Sequence, residues 1–175
     1  MNQINQHLRQ TIVNRSKKTA LIVALLLTVV TSFANGSHGT RANNSTNMAP
    51  IADITRPVNT SFKQDFKNAQ FIGSEVHTNF TKLTFRLNDM ILSAFYNENG
   101  RLLAVVRNIL SSQLPVELRM DLKTSYSDYW ITELFELNEN GQTSYYVSLE
   151  NADTKLVLRS GDNHTWEVYQ QTDKN

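Results

Sequence analysis

The chain has 175 residues, with 17 Lys and Arg, 16 Asp and Glu, and no cysteine. Lack of cysteine excludes a disulfide framework, thiolate nucleophiles, iron–sulfur clusters, sulfur-ligated zinc and a thiol-linked lipid anchor. A balanced charge without a polybasic stretch gives no bulk attraction to nucleic acid or anionic lipid, so no nucleic-acid partner is expected.

The first 34 residues read as a secretory signal peptide. Arg15, Lys17 and Lys18 precede an apolar run from Ala20 to Leu27, which continues through Thr28, Val29 and Val30. Ser32-Phe33-Ala34 is a small-x-small triplet, so the cut is expected after Ala34. A membrane anchor is the rival reading, but the run is about 12 residues long and a spanning helix needs roughly 20. The remainder is therefore expected in the periplasm or outside the cell, with no stable membrane insertion after cleavage. Four bases (Arg9, Arg15, Lys17, Lys18) and no acid precede Asn35, which leaves thirteen bases against sixteen acids and a net charge of −3.

Residues 35–57 are rich in Asn, Ser, Thr, Gly and Pro and show no apolar period. Such a stretch buries too little surface to offset its ordering entropy and reads as a flexible linker. Sequons at Asn43, Asn44, Asn59, Asn79 and Asn163 are read as chance products of an Asn- and Thr-rich chain.

Residues 58–175 form one domain. Val58, Phe62 and Phe66 recur every four residues and predict a short amphipathic helix ending near Asn68, with Thr60 or Ser61 as its cap. Strands follow over 71–76, 82–87, 90–96 and 102–109, with a turn at Asn97-Glu98-Asn99-Gly100. The last of these is apolar on both faces and should lie centrally, covered on both sides. Leu114-Pro115 opens a second helix with Leu118, Leu122 and Tyr126 as its buried stripe. Four more strands are predicted over 129–137, 142–150, 154–159 and 165–170, with a second Asn-Glu-Asn-Gly at Asn138. The fold class is α+β: a single antiparallel sheet from two helix-plus-hairpin pseudo-repeats, both helices packed on one face.

Several landmarks match a family in order and spacing: Phe62-Lys63-Gln64-Asp65-Phe66-Lys67-Asn68-Ala69, Phe95-Tyr96-Asn97-Glu98-Asn99-Gly100, Leu114-Pro115, and Asn140-Gly141 followed by Tyr145-Tyr146-Val147-Ser148-Leu149. Over roughly residues 58 to 170 the chain resembles the secreted PepSY-like domain proteins of Bacteroidota, described as related in fold to beta-lactamase inhibitor protein. Lys67 stands where that family has Pro, and Val76-His77 where it has a tryptophan. The resemblance implies a periplasmic or surface binding module and brings no catalytic residues.

Residue chemistry points the same way. His38, His77 and His164 have no metal-ligand spacing. Ser74, Ser93, Ser111, Ser148 and Ser160 lack a nucleophile elbow. Glu133 and Glu136 should point to opposite faces, whereas Glu136 and Glu150 are expected as cross-strand neighbours without a cleft. Asp153, Asp162 and Asn163 read as turn residues rather than calcium ligands. No catalytic group, cofactor or metal is expected, and the protein is not expected to be an enzyme. Strand alternation assigns Tyr145, Val147, Leu149, Trp166 and Val168 to the core. Tyr146 and Tyr169 then point away from it, onto an open sheet face with Lys155 and Arg159, while the face of Trp130 stays open. These five residues are the candidate surface for an unknown protein or peptide. The alternative is a small-ligand or envelope-stress accessory protein with a pocket between sheet and helix.

Overall fold

The computed structural model describes residues 54–174. The leader, its cleavage site and the linker up to residue 53 lie outside the described residues. Helix α1 spans Arg56–Asp65 and α2 spans Val116–Ser125. The strands are β1 Gln70–Val76, β2 Thr81–Leu87, β3 Met90–Tyr96, β4 Leu102–Asn108, β5 Trp130–Glu139, β6 Gln142–Glu150, β7 Thr154–Ser160 and β8 Glu167–Asp173. They form one open antiparallel sheet in sequential order, with β1 and β8 as its edges. No helix among the described residues is long and apolar enough to cross a membrane.

Helix α1 begins two residues before Val58 because Pro57 fits its first turn, where a missing N–H costs nothing. Its N-cap is Thr55, and no side chain caps it. Thr60 and Ser61, expected as caps, instead lie inside the helix. Val58 and Phe62 are its buried residues, and Ile54 joins them in the core.

Two apolar clusters hold the helices down. Val58 and Phe62 of α1 pack on Leu83, Phe85, Leu92, Ala94 and Tyr96. Phe62 meets Phe85 edge-on at 5.1 Å. Leu118 and Leu122 of α2 pack on Leu134, Val147, Leu149, Leu156, Leu158 and Trp166. Register places both clusters on the same side: Ala94 pairs with Val105 and Val105 with Asn138, and Leu134 shares the Asn138 side of β5. Arg107 grips Glu136 on this face, between the clusters, through Nε at 3.1 Å and Nη2 at 2.9 Å.

The other face carries Phe95, Ala104, Val106, Phe135, Leu137, Tyr146 and Val157, all buried. β4 is thus interior and apolar on both sides, as its composition predicts. Phe80, in the β1–β2 turn, packs on Phe95 at 5.7 Å. The middle of this helix-free face is closed; exposed apolar groups lie toward its margins, such as Ile91 and Trp130.

The two Asn-Glu-Asn-Gly sequences build different turns. In the second, Asn140 and Gly141 both have positive φ and link Glu139 to Gln142 as a two-residue hairpin loop. In the first, the Asn97 side chain accepts from the N–H groups of Asn99 and Arg101, and only Gly100 has positive φ. A Cβ on Gly100 would sit 2.7 Å from the Pro57 carbonyl oxygen, so this turn tucks under the start of α1.

Candidate functional site

β5 to β8 set out the candidate residues. Tyr145, Val147 and Leu149 face the helices, so Tyr146 and Ser148 face away. Tyr146 pairs with Phe135 on β5 and Arg159 on β7. Trp130 pairs with Glu150, and Glu150 with Lys155. Trp130, Tyr146, Lys155 and Arg159 therefore share the helix-free face, which settles the side of Trp130. Tyr169 joins them because β8 carries one extra residue between Val168 and Gln170, opposite the Val157–Leu158 step.

These residues form two groups, one at the middle of β6 and one at its Glu150 end. In the first, Tyr146 lies flat on Phe135 with ring centroids 5.1 Å apart and 9° between planes. Tyr169 meets Tyr146 edge-on at 5.7 Å, and the Arg159 guanidinium carbon lies 5.9 Å from the Tyr146 ring centre. This arrangement corrects the expectation of an accessible Tyr146, which is only 1% exposed while Tyr169 is 38% exposed. Burial pushes the Tyr146 phenol up to about 12, with Arg159 pulling the other way. Tyr146 is the floor of the group; Tyr169 and Arg159 are its outer surface.

In the second group, Glu150 pairs with Lys155 at 3.5 Å and Lys174 at 2.9 Å. Lys174 holds the Glu150 carboxyl below its ordinary range. The Lys174 ammonium also stands 5.3 Å from the Trp130 ring centre, and Trp130 is 54% exposed.

Glu133 lies between the groups, paired with Ser148. Its Oε2 and the Ser148 hydroxyl are buried and close no hydrogen bond of good geometry, although the hydroxyl stands near enough to favour the carboxylate. Burial pushes this carboxyl up, while Lys155 and Ser148 oppose the shift. The sequence reading passed over this residue as a binding candidate. Its position depends on the β5 irregularity between Ile131 and Glu133, which carries no residue signature.

Other expectations change. Glu136 pairs with Tyr145 and sits on the helix face, so Glu136 and Glu150 are not neighbours. The two-residue Asn140-Gly141 loop sets that register. Trp166 is core and donates its indole N–H to the Leu118 carbonyl at 2.9 Å. Val168, expected beside it in the core, is 57% exposed on the edge strand. Asp162 closes its own turn: its carboxylate accepts from the Ser160 and Thr165 hydroxyls and from the His164 and Thr165 backbone N–H groups. The two Thr165 bonds and the His164 N–H hold it well below the usual carboxylate range.

A concavity of about 470 Å³ opens between the end of α2 and the sheet, lined by Arg119, Leu122, Lys123, Tyr126, Tyr129 and Ile131 among others.

No family model matches the chain, and no curated protein does. Solved structures share its fold. A DUF2874 family protein from Bacteroides uniformis superposes with a TM-score of 0.60 at 11% identity, over 68% of this chain and 88% of its own. A BLIP-like protein from Bacteroides fragilis gives 0.59 at 15% identity, over 73% and 89%. A candidate periplasmic protein from Bacteroides eggerthii gives 0.59 at 11% identity, over 68% and 88%. At these identities the likeness is one of fold: the chain shares the fold of these DUF2874 and BLIP-like Bacteroides proteins.

Proposed function

We propose that this protein is a secreted, non-enzymatic binding module that engages an envelope protein or peptide through the helix-free face of its sheet. The carrying observation is the arrangement of Trp130, Tyr169, Lys155 and Arg159. Two accessible aromatic rings and two cations share a face on which neither α1 nor α2 packs. Aromatic side chains anchor protein interfaces because they bury large area at low entropic cost, and arginine because its planar fork makes several directed hydrogen bonds.

The same reading includes a leader cleaved after Ala34, a linker up to the start of α1, and a periplasmic or exported location. The PepSY-like label and descent from a helix-plus-strands repeat belong to it as well. The neighbours' periplasmic and BLIP-like descriptions support it.

The test is affinity capture from the native envelope with the processed protein and a Trp130→Ala/Tyr169→Ala variant. A specific protein retained by the first and lost by the second is expected. Equal retention by both, or none, overturns the reading. The cleft beside α2 favours a second reading, a small-ligand site between helix and sheet.

A further inference from the structure

We infer that the cleft at the end of α2 binds an amphiphilic anion: a small aliphatic or aromatic body carrying one carboxylate or similar oxyanion. This rests on the second reading above and names its ligand class.

The floor of the cleft comes from Leu122 on α2, Ile131 on β5 and Leu149 on β6. Ile131 and Leu149 are register partners on the helix face, so the floor is continuous with the α2 core. Tyr126 and Tyr129 form one wall, their rings edge-to-face at 6.1 Å. The volume of about 470 Å³ lies in the small-molecule range of roughly 300–1,000 Å³.

The rim has one sign of charge. Arg119 and Lys123 lie four residues apart on α2 and both line the cleft, while no carboxylate does. Like charges at that spacing repel and are unfavourable unless something neutralises them. Among the described residues Arg119 donates to the Ser112 carbonyl at 3.3 Å, and neither Arg119 nor Lys123 makes an ion pair. Asp121, on the same helix, accepts from the Ser125 hydroxyl at 2.5 Å and does not line the cleft, although its charge helps to raise the Tyr126 phenol. Lys123 lies in the last turn of α2, where the helix dipole favours a cation, and Arg119 lies one turn earlier. Hydroxyls of Ser111 and Ser127 supply further donors at the mouth. An apolar floor under a cationic rim selects a molecule with the reverse polarity at its two ends.

Titration calorimetry with decanoate and decanol, on the processed protein, tests the inference. Backbone NMR locates the site, and phosphatidylglycerol vesicles are a third arm. Decanoate is expected to bind about tenfold or more tightly than decanol, as loss of charge-assisted bonds implies. Shifts should centre on Tyr126, Tyr129 and Ile131. An Arg119→Gln/Lys123→Gln variant is expected to lose that preference with its ligand-free unfolding midpoint unchanged, since both side chains are exposed. Vesicle binding lost in the same variant would identify the anion as a lipid headgroup; decanoate binding without it would identify a free amphiphile. Equal binding of decanoate and decanol would leave the pocket standing and overturn the anion. Binding of neither decanoate nor vesicles, or shifts on the helix-free face instead, would overturn the pocket reading itself.

Discussion

Trp166 gives a prediction whose size follows from its surroundings. It lies just ahead of β8, is 9% exposed, packs in the α2 cluster, and bonds the Leu118 carbonyl across 48 residues of sequence. Trp166→Phe keeps an aromatic ring but removes the donor and part of the ring volume. Within α2 the Leu118 carbonyl still accepts from the helical N–H four residues on, so no buried acceptor is orphaned. The lost bond then costs about 1 kcal/mol, and the missing ring atoms about 1 kcal/mol more. Trp166→Ala opens a full cavity and is expected to cost about 3–5 kcal/mol. Urea unfolding by circular dichroism should give about 2 kcal/mol for the first and clearly more for the second. A loss below about 0.5 kcal/mol for Trp166→Ala would refute the claim that β8 and α2 are joined through this residue.

Three further predictions follow from named contacts. Gly100→Ala and Gly141→Ala both force alanine into positive φ, at about 1–2 kcal/mol each, but only Gly100 has the Pro57 carbonyl in the way. Gly100→Ala should therefore be distinctly the more destabilising in thermal unfolding, and equal losses would contradict the packing of that turn under α1. Glu133→Gln should change the pH dependence of stability. Because burial raises the folded-state value of this carboxyl, the fold is penalised once the pH passes the unfolded value and fully so above the folded one. Glu133→Gln is thus expected to be more stable than wild type at pH 8 and indistinguishable near pH 3, as measured by urea midpoints. A less stable variant at pH 8 would reverse the sign. Tyr146→Ala should lower the unfolding midpoint sharply, by about 3 kcal/mol or more for a buried aromatic, whereas Tyr169→Ala should cost less than about 1 kcal/mol.

Much of the fold is legible from residue pattern. The ranges expected for β3 and β6 match the structure, because alternating or continuous apolar residues end there at turn-forming Asn and Gly. β8 was shifted, since its Glu, Gln, Thr and Asp residues carry no apolar alternation and its pairing skips Tyr169. The candidate face was legible as a face but not as a surface. Alternation along β6 puts Tyr146 opposite Tyr145, yet it is silent on Phe135 beneath Tyr146 and Tyr169 across it, which are contacts set by register. The two identical turn sequences suggested equivalent hairpins. Their geometries differ because one is a free loop and the other is constrained by Pro57. A pocket between sheet and helix was expected as the alternative, but its lining was not legible because Arg119, Lys123 and Tyr129 become neighbours only when α2 lies on β5 and β6.

Photocrosslinking in living cells tests the central claim most directly. A photoreactive amino acid placed at Tyr169 or Trp130 samples the helix-free face, and one at exposed Met120 on α2 serves as the control. The expected result is one discrete adduct from positions 169 and 130 and none from 120. No adduct at either face position, or the same adduct from Met120, would contradict a partner bound on the helix-free face.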